Sequence, residues 1–194
     1  MKAKIIHAFE ESISVKQQFL RENVDLIIKV SHILSDTFTR GNKVILFGNG
    51  GSATDASHIA GEFVNRFKKN RPGLPAIALN TDVAVLTSIA NDYDFSEVFS
   101  RQMKALAQEG DVAIAISTSG NSPNILKAVD AAKKKKVTLI ALTGLKGNKL
   151  ATKADHSFVV SSRNTPRIQE VHITLGHVLC QMVEEILFES HRNK

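Results

Sequence analysis

Short apolar segments alternate with longer amphipathic segments over most of the chain. The short segments are continuously apolar and rich in Val and Ile, which is typical of strands buried on both faces of a parallel sheet. Helical patterns at 52–68, about 95–109 and 122–135 separate several of them. The alternation predicts an α/β fold with a doubly wound, five-stranded parallel sheet. The predicted strands are 43–48, 76–79, 112–117, 137–142 and 156–161.

Helical patterns also flank this alternating region. Near the N-terminus, one apolar face ends at Phe19 and Leu20 and a second covers 26–38, so we expect two amphipathic helices before Gly41. A last helix, from about Pro166 to Glu189, is apolar around much of its circumference. One sheet face cannot cover that much apolar surface. We therefore expect a homo-oligomer that packs through these helices.

Length and composition narrow the class of protein. A chain of 194 residues suggests one domain over 1–194, made of a helical pair at 1–40 and an α/β core with the last helix at 41–194. The single cysteine, Cys180, excludes an internal disulfide and fits a reducing compartment. The N-terminal segment shows no secretory h-region, and no apolar run approaches about 20 residues. We expect a cytoplasmic protein without a membrane partner.

The formal net charge is +6, and one cluster of positive charge is the run of four lysines at 133–136. Lysines suit the end of a helix because they complement its dipole, so a solvated helix end explains the run. A modest positive field would also attract a phosphorylated substrate. The chain has no tryptophan and one tyrosine, and it carries no nucleic-acid-binding motif. We therefore do not expect a nucleic-acid partner.

Two turns that follow predicted strands have unusual chemistry. The first reads "GNGGS" at 48–52 and the second reads "STSGNS" at 117–122. Ligands of open α/β sheets bind beyond the carboxyl ends of strands, and glycine turns that open helices bind phosphate through backbone N–H groups. Ordinary turn and cap chemistry explains either turn alone. Two such turns in one sheet favour a phosphate site, formed by Asn49, Gly50, Gly51, Ser52, Ser117, Thr118, Ser119 and Ser122.

The first turn also matches a nucleotide-binding pattern. Gly48, Gly50 and Ala53 fit G-x-G-x-x-A, the fingerprint of dinucleotide-binding folds. That fold requires an acidic residue about 20 residues on, at the end of the next strand, whereas Asp82 lies considerably farther along. The second turn has no lysine, so it is not a Walker A loop. We expect no nucleotide cofactor.

Candidate catalytic groups lie on two predicted helices. His58 and Glu62 are four residues apart and share a helix face, so they can hold a divalent metal together or divide acid and base roles. A solvent-facing polar pair has the same spacing. The last helix carries Gln169, His172 and His177 among apolar residues. Buried histidines usually only satisfy hydrogen bonds, and His172 is the more ordinary of the two.

These stretches together resemble the sugar isomerase (SIS) family. The similarity covers nearly the whole chain and rests on "GNGGSATDASHIAGE", "GDVAIAISTSGNSPNILKA" and "RIQEVHITLGH". Within the family, the chain is similar to members that interconvert D-sedoheptulose 7-phosphate and D-glycero-D-manno-heptose 7-phosphate for bacterial cell-envelope polysaccharide. The resemblance implies a cytoplasmic homotetramer with active sites between subunits.

The resemblance also implies roles for individual residues. Glu62 matches the catalytic base and His177 the catalytic acid/base. The phosphate-binding positions match Ser52, Ser117, Thr118, Ser119 and Ser122. Residues that line the sugar site match Arg66, Asn91 and Asp92, and Gln169 is expected to contact substrate as well. Some members bind zinc through residues that match His58, Glu62, Gln169 and His177.

Two positions depart from the family pattern, and two other functions stay open. Ala53 stands where several members have histidine, and Pro166 stands where some have an acidic residue; both could alter sugar contacts. One alternative is a non-catalytic SIS protein that binds the bacterial replication initiator, although such a protein needs neither Glu62 nor His177. The other alternative is an isomerase of a related ketose phosphate, because hydroxyl-rich turns bind phosphate whatever the length of the sugar.

Overall fold

The structure, a computed structural model, describes residues 1–144 and 149–189, so two parts of the predicted domain, 145–148 and 190–194, lie outside the described residues. Five parallel strands form one sheet in the order β2-β1-β3-β4-β5. This confirms the predicted doubly wound sheet, and the strand ends differ from the prediction by at most two residues. The strands are β1 Val44–Gly48, β2 Ala76–Ala78, β3 Val112–Ser117, β4 Thr138–Thr143 and β5 His156–Val159.

Seven α-helices surround the sheet within the described residues. A short 3-10 helix, Phe95–Glu97, precedes the fourth of them. The helices are α1 Lys2–Thr39, α2 Gly51–Val64, α3 Val83–Asp92, α4 Val98–Leu106, α5 Pro123–Lys134, α6 Lys149–Lys153 and α7 Thr165–Phe188.

The core lies on both faces of the sheet. Every residue of β1 and of β3 is buried, as continuously apolar strands require. Because side chains alternate along a strand, Leu46 and Ile114 pack on the face that α1, α2 and α7 cover. Phe47 and Ala115 pack on the opposite face, together with side chains of α3, α4, α5 and α6. The sheet is therefore covered on both sides.

The predicted pair of N-terminal helices is wrong, because residues 2–39 form one helix of 38 residues. The segment between the two apolar faces, "RENVD" at 21–25, contains neither glycine nor proline, so nothing ends the helix there. The second half of α1 is buried at Val30 and Leu34, whereas Phe9 and Ile13 in the first half are exposed. The change of face reflects a change of environment along one continuous helix.

Two further helices differ from the prediction. The predicted helix at 52–68 ends at Val64, and the helix Val83–Asp92 was not predicted. The Asp82 side chain caps α3 by accepting a hydrogen bond from the Val85 N–H at 3.0 Å. Asp82 is therefore a helix cap rather than a ribose-binding acid.

The long last helix is confirmed at Thr165–Phe188. By length and composition it could cross a membrane, but core helices of soluble proteins pass the same test. It packs against α1 and α2, and Leu175 and Leu179 are buried in the core. Gly176 allows a close approach to α2, because a Cβ atom there would lie 2.4 Å from Cδ1 of Ile59.

Candidate active site

The two predicted phosphate turns follow neighbouring strands at the point where the connections diverge. From β1 the chain goes on to β2 on one side, while β3 lies on the other side. Such a switch point leaves a crevice beyond the carboxyl ends of the strands. Gly48 ends β1 and pairs with Ile116, and the next residue, Ser117, ends β3, so the turns after Gly48 and Ser117 both open into this region.

The first turn needs its glycines for physical reasons. Gly50 has φ of 56°, in the left-handed region that favours glycine. A Cβ atom at Gly48 would lie 2.6 Å from the carbonyl oxygen of Ser52, so only glycine fits there. The turn leads directly into α2, where the N–H groups of Ser52 and Ala53 donate to the carbonyls of Asn49 and Gly50, at 3.0 Å each. The turn and the positive end of the helix dipole are therefore what this segment offers to an anion. It is thus suited to bind an anion.

The second turn brings hydroxyl groups together at the start of α5. Gly120, with φ of 64°, donates its N–H to Oγ of Ser117 at 3.1 Å. Oγ of Ser117 and Oγ of Ser122 are 3.5 Å apart. Thr118 is half-buried and Ser119 is exposed. Hydroxyl donors beside a helix N-terminus suit a phosphate monoester.

A pair of asparagines joins the two turns. Asn49 Nδ2 donates to Oδ1 of Asn124 at 3.0 Å, and Asn124 Nδ2 donates to Oδ1 of Asn49 at 2.8 Å. Asn124 is buried and belongs to α5. Sequence reasoning missed it, since an asparagine after Pro123 has no distinguishing signal except its place at the start of a helix.

Three side chains of the predicted catalytic set form a cluster. Nε2 of His58 lies 3.0 Å from Oε1 of Glu62 and 3.4 Å from Nε2 of His177. The ligand atoms of all three lie within 4.8 Å of one another. Helix α2 provides His58 and Glu62, and α7 provides His177. The i, i+4 spacing and the approach of α7 at Gly176 therefore bring residues from distant parts of the chain together.

The chain is similar to known proteins over most of its length. Residues 8–144 match the model of the SIS domain family. The chain belongs to the SIS domain family. It is 62% identical to the phosphoheptose isomerase of Thermodesulfovibrio yellowstonii over 96% of this chain and 92% of that protein.

Solved structures of SIS-domain enzymes have the same fold. The phosphoheptose isomerase of Neisseria gonorrhoeae is 39% identical, with a TM-score of 0.90, over 95% of this chain and 98% of that chain. The phosphoheptose isomerase of Francisella tularensis is 38% identical, with a TM-score of 0.91, over 94% and 97% respectively. This SIS-domain chain is therefore an enzyme of the sugar-phosphate isomerase class.

Gln169, on the long helix α7, contacts the first turn at Gly51. A Cβ atom at Gly51 would lie 2.4 Å from Nε2 of Gln169. The Gln169 amide therefore fits against the turn because residue 51 has no side chain. Gln169 is half-buried on α7, about two helical turns before His177. Its position against Gly51 is compatible with the predicted contact to substrate.

The remaining predicted sugar-site residues lie on exposed segments. Arg66 is exposed just after α2. Asn91 and Asp92 are exposed at the end of α3, where Nδ2 of Asn91 donates to Oδ1 of Asp92 at 2.9 Å. Within residues 1–144 and 149–189, none of the three forms a hydrogen bond or ion pair with the cluster of His58, Glu62 and His177. Their role in sugar binding stays a prediction.

Sequence reasoning missed two further polar residues near the site. Asp55 lies three residues before His58 on α2, and its Oδ2 is buried without a hydrogen-bond partner among the described residues. Burial raises the pKa of Asp55, and the nearby His58 opposes this only in part. Arg163 lines a cavity of about 440 Å³ with Thr118 and Ser119. It places a positive charge beside the second turn.

Cys180 is excluded as a nucleophile. The thiol is fully buried in the core. Burial, together with a smaller effect of the Glu62 charge, raises its pKa to about 12. Nucleophilic cysteines are thiolates, so the candidate catalytic groups are the carboxylate and the imidazoles of the cluster.

Proposed function

We propose that this protein interconverts D-sedoheptulose 7-phosphate and D-glycero-D-manno-heptose 7-phosphate, as the first step of bacterial heptose synthesis for cell-envelope polysaccharide. The observation that carries the proposal is the cluster of His58, Glu62 and His177 beside two turns suited to phosphate. The names of the relatives, phosphoheptose isomerases at 38% to 62% identity, support the same substrate.

The phosphate end of the substrate binds at the two turns. The proposed anion ligands are backbone N–H groups of the Asn49–Gly51 turn, at the positive end of the α2 dipole, and the hydroxyls of Ser52, Ser117, Thr118, Ser119 and Ser122. Binding there provides energy remote from the reacting carbons, which orients the C1–C2 end of the sugar toward the cluster. Arg66, Asn91, Asp92 and Gln169 are proposed to contact the sugar hydroxyls.

The reaction is a proton relay along C1 and C2. Glu62 removes a proton from C1 of the ketose, and the electron pair forms the C1–C2 double bond of an enediol. His177 transfers protons between O1 and O2, so that the carbonyl moves from C2 to C1. The proton then returns from Glu62 to C2, and no oxidant or reductant is needed.

The cluster also fits a zinc ion. Two imidazole nitrogens and one carboxylate oxygen are typical zinc ligands, and tetrahedral coordination at the usual bond lengths separates ligand atoms by roughly 3.3 Å. Two of the three separations, 3.0 and 3.4 Å, match this geometry, and all three ligand atoms lie within 4.8 Å of one another. His58, Glu62 and His177 would hold the ion, with Gln169 as the proposed fourth ligand. Zinc, when bound, supplies a Lewis acid that polarises the substrate carbonyl.

The proposal includes a cytoplasmic homotetramer. One side of α1 exposes Phe9, Ile13, Leu20 and Ile28 in the single chain, and Phe9 is 69% exposed. Contiguous apolar surface of this kind marks a protein interface. A second copy of the chain supplies a matching apolar surface by symmetry.

The decisive experiment is an assay of the full chain with sedoheptulose 7-phosphate, in which aldose formation is followed with and without added zinc. We expect conversion by the wild-type protein. Glu62→Gln should lower kcat by about 10²- to 10⁴-fold, because it removes a proton-transfer group. Glu10→Gln, which changes an exposed carboxylate on α1, is the matched control and should leave kcat unchanged. A wild-type protein that converts no substrate under either condition contradicts the proposal and favours a non-catalytic SIS protein.

A further inference from the structure

A buried ion pair connects the ends of the two helices that carry the cluster. Nε of Arg71 lies 2.9 Å from Oε1 of Glu184, and each side chain is only 1% exposed. Arg71 follows α2, and Glu184 lies on α7 about two turns beyond His177. The proposed mechanism uses neither residue.

The carboxylate of Glu184 organises the turn that follows α2. It accepts hydrogen bonds from the backbone N–H groups of Phe67 at 2.8 Å, Lys68 at 2.9 Å and Lys69 at 3.1 Å. With Arg71 it therefore accepts from four donors. Burial by itself raises the pKa of Glu184, but these hydrogen bonds outweigh it, so the pKa lies below its usual range.

The guanidinium of Arg71 binds the end of α2. Nη2 donates to the carbonyl of Glu62 at 2.8 Å, and Nη1 donates to the carbonyl of Phe63 at 2.7 Å. These are among the last carbonyls of α2, which lack partners within the helix. Arg71 thus holds the backbone of the proposed base, while its ion pair with Glu184 connects that backbone to α7.

The organised turn places an aromatic ring against the second catalytic group. The rings of Phe67 and His177 are stacked, with centroids 5.6 Å apart and an angle of 25° between their planes. The Phe67 backbone N–H is the group that Glu184 holds at 2.8 Å. Glu184 therefore holds the backbone of Phe67, the residue whose ring stacks on the His177 imidazole.

We propose that Arg71 and Glu184 are positioning residues, which set the His177 imidazole relative to Glu62 by holding the Phe67 turn and the end of α2 against α7. This inference rests on the proposed isomerase function. Buried ion pairs often contribute no more stability than a well-packed apolar pair. What this pair offers beyond stability is a set of directional hydrogen bonds to the backbone N–H groups of residues 67–69 and to the carbonyls of Glu62 and Phe63.

Two variants test the inference in the full-length protein. Glu184→Gln keeps the size of the side chain but presents an NH₂ group where every partner is a donor. Phe67→Leu keeps the ion pair and removes only the stacked ring. Glu185→Gln, on the same helix and partly exposed, is the matched control.

We expect kcat of Glu184→Gln to fall by about 10- to 100-fold, the usual effect of losing a partner that orients a reacting group. KM should change by less than about threefold, because the phosphate turns are untouched. The His177 ring C–H resonance should also shift in both variants, since the ring current of Phe67 acts on it. This resonance is assigned by its loss in His177→Asn, and it needs no turnover.

The inference is overturned if folded Glu184→Gln keeps the wild-type kcat and the wild-type His177 resonance. Loss of thermal stability alone, with both readouts unchanged, also overturns it, because that is a purely structural role. If Glu184→Gln does not fold, Phe67→Leu decides by kcat alone, because deleting the ring moves the His177 resonance in any case; a wild-type kcat in Phe67→Leu then overturns the inference. An inactive wild-type protein would contradict the proposed function, whereas the resonance would still test the positioning.

Discussion

Asn49 and Asn124 bind each other through both of their side-chain amides, and this pair links the two phosphate turns. Asn49 precedes α2 and Asn124 begins α5, so the contact sets the distance between two helix N-termini. A phosphate that touches both turns depends on that distance. The pair therefore belongs to the architecture of the site although neither amide needs to touch the substrate.

Replacing Asn124 should weaken substrate use more than it weakens the fold. Asn124→Ala leaves the half-buried amide of Asn49 without its partner, which costs about 1 kcal/mol of unfolding free energy. A small displacement of the turns should lower kcat/KM by about 10- to 100-fold. Steady-state kinetics and urea denaturation check both values. Asn70→Ala, at an exposed position, is the control, and equal effects of the two variants would contradict the role of the pair.

Zinc binding should depend on the three clustered side chains. Metal-free protein should take up about one Zn²⁺ per chain, measured by calorimetry or by metal analysis after dialysis. His58→Ala removes one of the ligands and should weaken the affinity by at least about tenfold. His32→Gln, which alters an exposed histidine on α1, should bind as the wild type does. Equal affinity in the two variants would place the zinc elsewhere.

Stability should fall on mild acidification because of His172. This residue is fully buried, and burial lowers its pKa from 6.5 to about 4, against a smaller opposing effect of the Thr143 backbone. The unfolded chain binds a proton at His172 below about pH 6.5, whereas the folded chain does so only near pH 4. Protonation of His172 in the unfolded chain therefore costs nothing above pH 6.5. As the pH falls from 6.5 to 4, it lowers the unfolding free energy by about 3 kcal/mol.

Urea denaturation measures this loss of unfolding free energy. The wild type and His172→Leu are compared between pH 7.5 and pH 4, roughly the window set by the two pKa values. The leucine variant should show a flatter dependence of unfolding free energy on pH. His32→Gln should keep the wild-type slope. Parallel curves for the wild type and the leucine variant would show that His172 does not carry the effect.

Charge on the exposed side of α1 should disrupt self-association. Phe9 and Ile13 are both exposed in the single chain. The double variant Phe9→Glu, Ile13→Glu should sediment as a smaller species than the wild type at the same concentration, because burying two carboxylates in an apolar interface is unfavourable. Glu10→Gln on the same helix should sediment like the wild type. A monomeric wild type at micromolar concentration would contradict the prediction.

Local sequence patterns were sufficient to predict the sheet and the positions of the two turns. Buried parallel strands appear as continuous apolar runs, and "GNGGS" and "STSGNS" follow two of them, so the predicted strands and the position of the turns agree with the structure. The spacing of His58 and Glu62 likewise placed both on one face of α2. Each of these inferences uses neighbours in sequence, whose geometry is set by the helix or strand itself.

Contacts between distant residues were not predictable in the same way. The ion pair of Arg71 and Glu184 and the amide pair of Asn49 and Asn124 join segments far apart in sequence, and no local pattern distinguishes these residues from surface polar ones. The continuity of α1 was missed for a related reason. Its apolar face changes because its surroundings change, and a periodicity analysis reads such a change as the end of one helix.

The separation of the clustered side chains along the chain has a consequence for how the protein is made. His58 and His177 are 119 residues apart, and the phosphate turns and all five strands lie before α7. During synthesis, both turns can leave the ribosome before the third member of the cluster does. Contacts of such long sequence separation form late and slow the folding of a domain. Under the proposed function, docking of the final helix is therefore the last step in assembling the active site, because it brings His177 to His58 and Glu62.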